Sequence, residues 1–246
     1  MQREILVTNL NRIDYREAWD LQERLLAEAL EIKKSWHAAH PSPGEKYAAP
    51  TTNRLLLCRH PHVFTLGKSG HESNLLADEA ALQRINATYI RTNRGGDITY
   101  HGPGQLVAYP LLDLEYFFTD LGRYMRLLEE AIIQTLADFS IQATRLPGAT
   151  GVWLEPDGPR ARKICAMGVR SSRWVTMHGL ALNINTDLSY FSHIVPCGIT
   201  DKAVTSMATE LGRVVDEAAV EAAFLKHFSE AFGAQLQEVS PAAIQR

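Results

Sequence analysis

The chain has 246 residues, 46% of them hydrophobic and 22% charged, with a formal net charge of −3. That composition excludes disordered, collagen-like and coiled-coil classes, and the slight negative charge argues against a broad nucleic-acid footprint. The three cysteines, Cys58, Cys165 and Cys197, form no C-x-x-C pair, so neither a disulfide framework nor a structural zinc site is expected; with no signal peptide and no run of about 18 apolar residues, the chain reads as cytoplasmic, without a membrane span.

A short strand is expected at 5–7. Asp14, with Glu17 three residues later, marks the start of a helix whose apolar positions recur through Lys34. Proline and glycine then predict a long surface loop over 35–53. Strands are expected at 55–58 and 63–66, a helix at 75–84, and further strands at 87–91, 98–101 and 106–112. A helix at 119–139 follows. Strands are expected again at 151–154, 163–170, 174–178 and 180–184, and a last helix at 216–232. Strands in clusters, without strict β-α-β alternation, point to an α+β class, here as a single domain over 1–246.

Three stretches are chemically unusual. Arg94-Gly-Gly-Asp-Ile-Thr-Tyr-His-Gly-Pro-Gly-Gln105 interleaves four glycines with polar and charged residues. Glycine permits positive φ and close backbone approach to a ligand, although two tight turns around a short strand would also account for it. It matches neither a Walker A loop nor a dinucleotide fingerprint. In Arg162-Lys-Ile-Cys-Ala-Met-Gly-Val-Arg170, strict alternation puts Lys163, Cys165, Met167 and Val169 on one face and Ile164, Ala166 and Gly168 on the other. The third stretch is His178-Gly-Leu-Ala-Leu-Asn183, followed by Pro196-Cys-Gly198, where the flanking proline and glycine predict a turn around the cysteine.

These stretches, with His60-Pro-His-Val-Phe-Thr-Leu-Gly67 upstream, resemble in order the blocks of the lipoyl(octanoyl) transferase family. The twelve-residue block at 94–105 is the specific one. The resemblance implies a fold like biotin and lipoate protein ligases, with a large mixed sheet, a smaller sheet and flanking helices. It also implies transfer of an octanoyl group from octanoyl-acyl carrier protein to a lysine ε-amine. The implied acceptors are the lipoyl domains of 2-oxoacid dehydrogenase complexes and the glycine cleavage H protein. No cofactor, metal, nucleic acid or membrane is implied.

By position, the family's thioester cysteine falls on Cys197 and its partner lysine on Lys163. Its substrate-contacting stretches fall on Arg94, Gly95, Gly96, Asp97, Ile98, Thr99, Tyr100 and His101, on Ala166, Met167 and Gly168, and on Gly179, Leu180 and Ala181. Cys165 stands where a small residue is usual, which raises the question of which thiol carries the acyl group. An ATP-dependent lipoate or octanoate ligase of the same fold is the main alternative. A Cys–His hydrolase using His178 or His101, and a non-catalytic carrier-protein binding module, are the others. Arg160, Arg162, Arg170 and Arg173 are candidates for a patch that receives acidic partners.

Overall fold

Residues 55–58 and 106–111 are apolar at nearly every position, which suits strands covered on both faces. The computed structural model describes residues 3–40, 48–195 and 203–244. Its strands are β1 (Glu4–Arg12), β2 (Arg54–Arg59), β3 (Val63–Leu66), β4 (Thr88–Arg91), β5 (Ile98–His101) and β6 (Gln105–Leu111), then β7 (Val152–Leu154), β8 (Arg162–Ser172), β9 (Val175–Asn183), β10 (Ala203–Val204) and β11 (Gln235–Glu238). Its helices are α1 (Tyr15–Ala39), α2 (Glu79–Arg84), α3 (Leu121–Asp138), α4 (Met207–Leu211) and α5 (Glu217–Phe232).

The large sheet runs β10-β8-β9-β6-β2-β1-β11, with β7 also paired to β8; the small sheet runs β4-β3-β5. Both are mixed: β2, β6, β9 and β8 pair antiparallel in turn, whereas β1 is parallel to β2 and β11. Alternate residues go to opposite layers. Leu55, Leu57, Leu106 and Ala108 join the core under α3 and α5, while Leu56, Cys58, Val107 and Tyr109 join the core under α1. The expected α+β class, with a large mixed sheet, a smaller sheet and flanking helices, is the observed architecture. No helix among the described residues is long and apolar enough to cross a membrane.

Helix starts follow the sequence closely. Asp14, Asp78, Asp120 and Asp216 each cap a helix by accepting a backbone N–H from its first turn. Elsewhere the elements differ from expectation. α1 continues five residues past Lys34 to Ala39, so the start of the expected 35–53 loop is helical; no proline intervenes before Pro41, and the Trp36 and His40 rings stack. Residues 41–47 of that loop lie outside the described residues. Of the helix expected at 75–84, only Glu79–Arg84 forms. Asp78 caps it, and Leu75 instead bridges to Ile194. The strands expected at 174–178 and 180–184 are one strand, β9, because Gly179 pairs in register with Gly168.

Burial along α1 includes one charge. Lys33 is 2% exposed, and its ammonium lies 2.7 Å from the equally buried Asp113 and 2.9 Å from Glu115. Asp113 also accepts from Thr51 Oγ1 at 3.0 Å. This cluster ties α1 to the chain leaving β6. Removing one partner of a buried pair leaves the other charge uncompensated, at a cost of about 3–5 kcal/mol. Asp113→Ala is therefore expected to lower the unfolding free energy in urea by about that amount. A loss below about 1 kcal/mol would show that Lys33 is satisfied without it.

Candidate active site

Four small residues leave one face of the large sheet bare. Ala166 pairs with Ala181, and Gly168 pairs with Gly179, across β8 and β9. A side chain at Gly168 would place its Cβ 2.7 Å from the Gly95 carbonyl oxygen and 3.1 Å from Arg94 Cδ. The bare patch is the floor of a pocket of about 820 Å3, a volume that includes space open to solvent. It lies on the α1 side of the sheet and is roofed by the turn between β4 and β5.

Strict alternation would send Lys163 to the opposite face, with Cys165 and Met167. A β-bulge prevents this. Val152 pairs with Cys165, but the next residue of β7, Trp153, pairs with Lys163, so Ile164 is supernumerary. Ile164 and Cys165 both enter the core, whereas Lys163 lines the pocket with Ala166 and Gly168. The sequence expectation for the face of Lys163 is corrected accordingly. The Lys163 ammonium sits 4.6 Å from the centre of the Trp153 ring.

The glycine-rich stretch is held at many points. The Gly95 N–H donates to Val169 O at 2.9 Å, fastening the turn to β8. On its other side Lys68 N–H donates to Arg94 O and Ser69 N–H to Gly96 O. Gly96 has φ of 84°, a left-handed backbone that favours glycine, and a Cβ at Gly67 would lie 2.2 Å from Gly96 O, so close backbone packing requires glycine there. The Arg94 guanidinium is buried and donates to Thr65 O at 2.6 Å, to Thr65 Oγ1 at 3.0 Å and to Gly95 O at 3.0 Å.

Two pocket histidines are neutral, and their hydrogen-bond chains fix their tautomers. Gln105 donates its amide N–H to Tyr100 O and Asn183 Oδ1, so its Oε1 accepts from His101 Nδ1–H at 2.8 Å. Asn93 donates to the Glu23 carboxylate, so its Oδ1 accepts from His178 Nε2–H at 2.8 Å. Burial, assisted by the nearby Arg94 cation, pushes both rings down to about 3. His178 has φ of 57°, and this left-handed backbone turns its ring toward Asn93 and α1. Beneath them His60 donates from Nδ1 to Ile13 O and accepts from the Tyr109 hydroxyl at 2.8 Å; burial lowers it to about 4. Tyr15 stacks on His101, and its phenol is pushed up to about 12 by burial, with Arg94 pulling the other way.

The pocket lining therefore takes in Lys163 and every substrate-contacting candidate except Gly95 and Tyr100. Gly95 holds the turn to β8 through its backbone. Tyr100 points the other way, into the core of the small sheet, with its hydroxyl 2.7 Å from His62 Nδ1. Tyr15, Gln105, Tyr109, Thr150, Asn183, Phe191 and Val204 also line the pocket. Gln105 and Asn183 end motifs visible in the sequence; Tyr15 gave no signal beyond following a helix cap. Cys58 and Cys165 are buried, and burial pushes both thiols above their ordinary value. Cys197 lies outside the described residues, but Phe191 and Val204, which flank its segment, both line the pocket. The arginines expected to form a receiving patch are largely matched by acids: Arg160 and Arg162 by Glu155, Arg162 also by Glu210, and Arg170 by Glu23.

Residues 14–229 match the family model described as the lipoyl protein ligase A/B catalytic domain. An octanoyltransferase of Christiangramia forsetii is 53% identical over 96% of this chain and 99% of its own length. An octanoyltransferase of Cytophaga hutchinsonii is 54% identical over 97% and 96%. Among solved structures, a bipartite lipoate protein ligase of Thermoplasma acidophilum has a TM-score of 0.67 at 18% identity, covering 98% of this chain and 87% of that one. A lipoate-protein ligase A bound with ATP also has 0.67, at 16% identity, covering 98% and 89%. These structural likenesses concern the fold.

The neutral histidines predict acid sensitivity. His60, His101 and His178 all have folded values below the ordinary 6.5. The unfolded chain therefore binds more protons below about pH 6.5, and stability is lost as pH falls toward the folded values. Three such groups give up to about 4 kcal/mol per pH unit between roughly pH 4 and 6. Denaturant unfolding should show that slope between pH 6 and 5 and a shallower one between pH 7 and 6, and the three ring signals in NMR should stay constant down to pH 5. A ring that titrates near 6.5 would contradict the assignment.

Proposed function

Since the chain belongs to the family of lipoyl protein ligase A/B catalytic domains and its activity is octanoyl transfer in protein lipoylation, we propose that octanoyl-acyl carrier protein is the donor, that lipoyl domains and the H protein are the acceptors, and that Cys197 carries the acyl group between them. A carrier-protein donor puts the reaction in the cytoplasm. The observation that carries the reading is the bulge that brings Lys163 into a pocket bordered on both sides of the Cys197 segment, by Phe191 and Val204. The burial of Cys58 and Cys165 supports Cys197 as the nucleophile.

In this mechanism the Cys197 thiolate attacks the donor's thioester carbonyl, and the carrier's thiolate leaves, taking a proton from the Lys163 ammonium. A nearby cation favours thiolate over thiol. The acceptor amine then attacks the Cys197 thioester. Neutral Lys163 takes the amine's proton, and the Cys197 thiolate departs. Exchange of one thioester for another is nearly isoenergetic, and amide formation is downhill, so the donor itself drives the reaction. The bare sheet face at Ala166, Gly168, Gly179 and Ala181 provides the apolar slot for the eight-carbon chain. The neutral state of His101 and His178 argues for their use as hydrogen-bonding walls and against a Cys–His couple.

Three outcomes are expected. Mass spectrometry after incubation with octanoyl-carrier protein should find the octanoyl mass on Cys197; Cys197→Ala should abolish transfer and Cys165→Ala should not. An acyl mass on Cys165 would reassign the nucleophile. Lys163→Ala should slow both half-reactions by about 10²–10⁴-fold, without rescue by arginine, which keeps a charge but cannot exchange its proton near neutral pH. Transfer should proceed in EDTA without ATP, whereas a strict need for ATP and magnesium would make the enzyme a ligase.

A further inference from the structure

We propose that Trp153 is a positioning residue for Lys163, holding its ammonium against the indole face so that the amine stays aimed into the pocket. The inference rests on the proposed role of Lys163 in the transfer reaction.

The geometry begins with the bulge. In an uninterrupted register Trp153 would lie opposite Ile164. The supernumerary residue instead makes Trp153 and Lys163 a cross-strand pair, and directly opposed side chains interact across an antiparallel ladder. The ammonium lies 4.6 Å from the ring centre, well inside the distance at which a cation is attracted to an aromatic face. The lysine stem runs past Gly151, where an added Cβ would lie 3.6 Å from Lys163 Cε. A bulky residue at 151 would also meet the Cys165 carbonyl oxygen at 2.5 Å, so the short approach between β7 and β8 depends on that glycine.

The backbone that carries the ring is tied at several points. Trp153 exchanges two backbone hydrogen bonds with Thr144, each 2.8 Å. Two residues earlier, the Gly151 N–H donates to Glu129 on α3 at 3.1 Å. Glu129 is fully buried and is held in turn by Arg126 at 2.8 Å and Arg145 at 3.0 Å. Thus α3, the 144 strand bridge and β8 together fix where the indole stands.

The indole is also not what packing alone would select. Trp153 is 2% exposed, and its Nε1–H has no hydrogen-bond partner among the described residues. A buried donor left unmade is costly, and a phenyl ring would fill much of the same space without it. Indole is, however, the best of the aromatic faces for a cation. The residue type fits the charge above it better than the space around it.

The test is a series at position 153 that changes ring electron density and little else. Tryptophan, 5-fluoro-, difluoro- and tetrafluorotryptophan are placed at 153 by codon suppression, and the rate constant of Cys197 acylation by octanoyl-carrier protein is measured for each. The expected result is a stepwise fall as fluorines are added. Trp153→Leu should lose about 2- to 30-fold, with Trp153→Phe recovering part of it. Lys163→Ala, measured alongside, separates the two readings. If Lys163→Ala stays active, the proposed dyad fails and this inference with it. If Lys163→Ala is inactive while the fluorinated series is flat, only the role of Trp153 is overturned.

Discussion

One extra residue in β8 governs the chemistry of the pocket. A strand offers alternate side chains to its two faces, and an unbroken β8 would bury the Lys163 side chain beside Cys165 in the core under α3. The bulge at Ile164 reverses that for the upstream residues Lys163 and Arg162 while leaving Ala166 and Gly168 in register with β9. The lysine thus meets the small-residue floor without disturbing the floor itself. A bulge is tolerated here because β7, which bears the mismatch, is three residues long and lies off the main run of the sheet.

The floor and the roof depend on each other for similar steric reasons. Gly168 has no side chain because the Gly95 carbonyl comes down on it, and the Gly95 N–H reaches Val169 from the same turn. Arg94 is then enclosed between the two layers, donating to carbonyls of its own turn and of β3. The buried cation and the buried rings of His101 and His178 are compatible only while those rings are neutral. Burial and the Arg94 cation keep them so, while the amide oxygens of Gln105 and Asn93 decide which ring nitrogen carries the proton.

Much of this was legible in the residues. The helices Leu121–Asp138 and Glu217–Phe232 and the central strands announce themselves by capping aspartates and continuous apolar runs. The glycine-rich stretch was visible as an anomaly of composition. The placement of Lys163 was not, because a bulge carries no signature in a run as ordinary as Lys-Ile-Cys-Ala. Tyr100 illustrates the converse. It sits inside the most distinctive motif, yet alternation along β5 sends it into the small-sheet core while His101 enters the pocket. Tyr15 and Phe191 reach the pocket through tertiary packing, which local pattern does not encode.

The outer edge of the large sheet carries a consequence for how the chain is made. β1 lies between β2 and β11, and the Gln235 N–H closes onto Arg3 O. At about 5–20 residues per second of translation, β1 leaves the ribosome early and β11 follows on the order of 10–50 s later. Throughout that interval one side of β1 has hydrogen-bonding groups without their strand. Unpaired strand edges recruit other chains, so until β11 arrives the nascent protein exposes an edge of β1 that the finished one covers. The polar, exposed residues Glu4, Asn11 and Arg12 on that strand are the kind that discourage such pairing, and they do so before there is any folded sheet to protect.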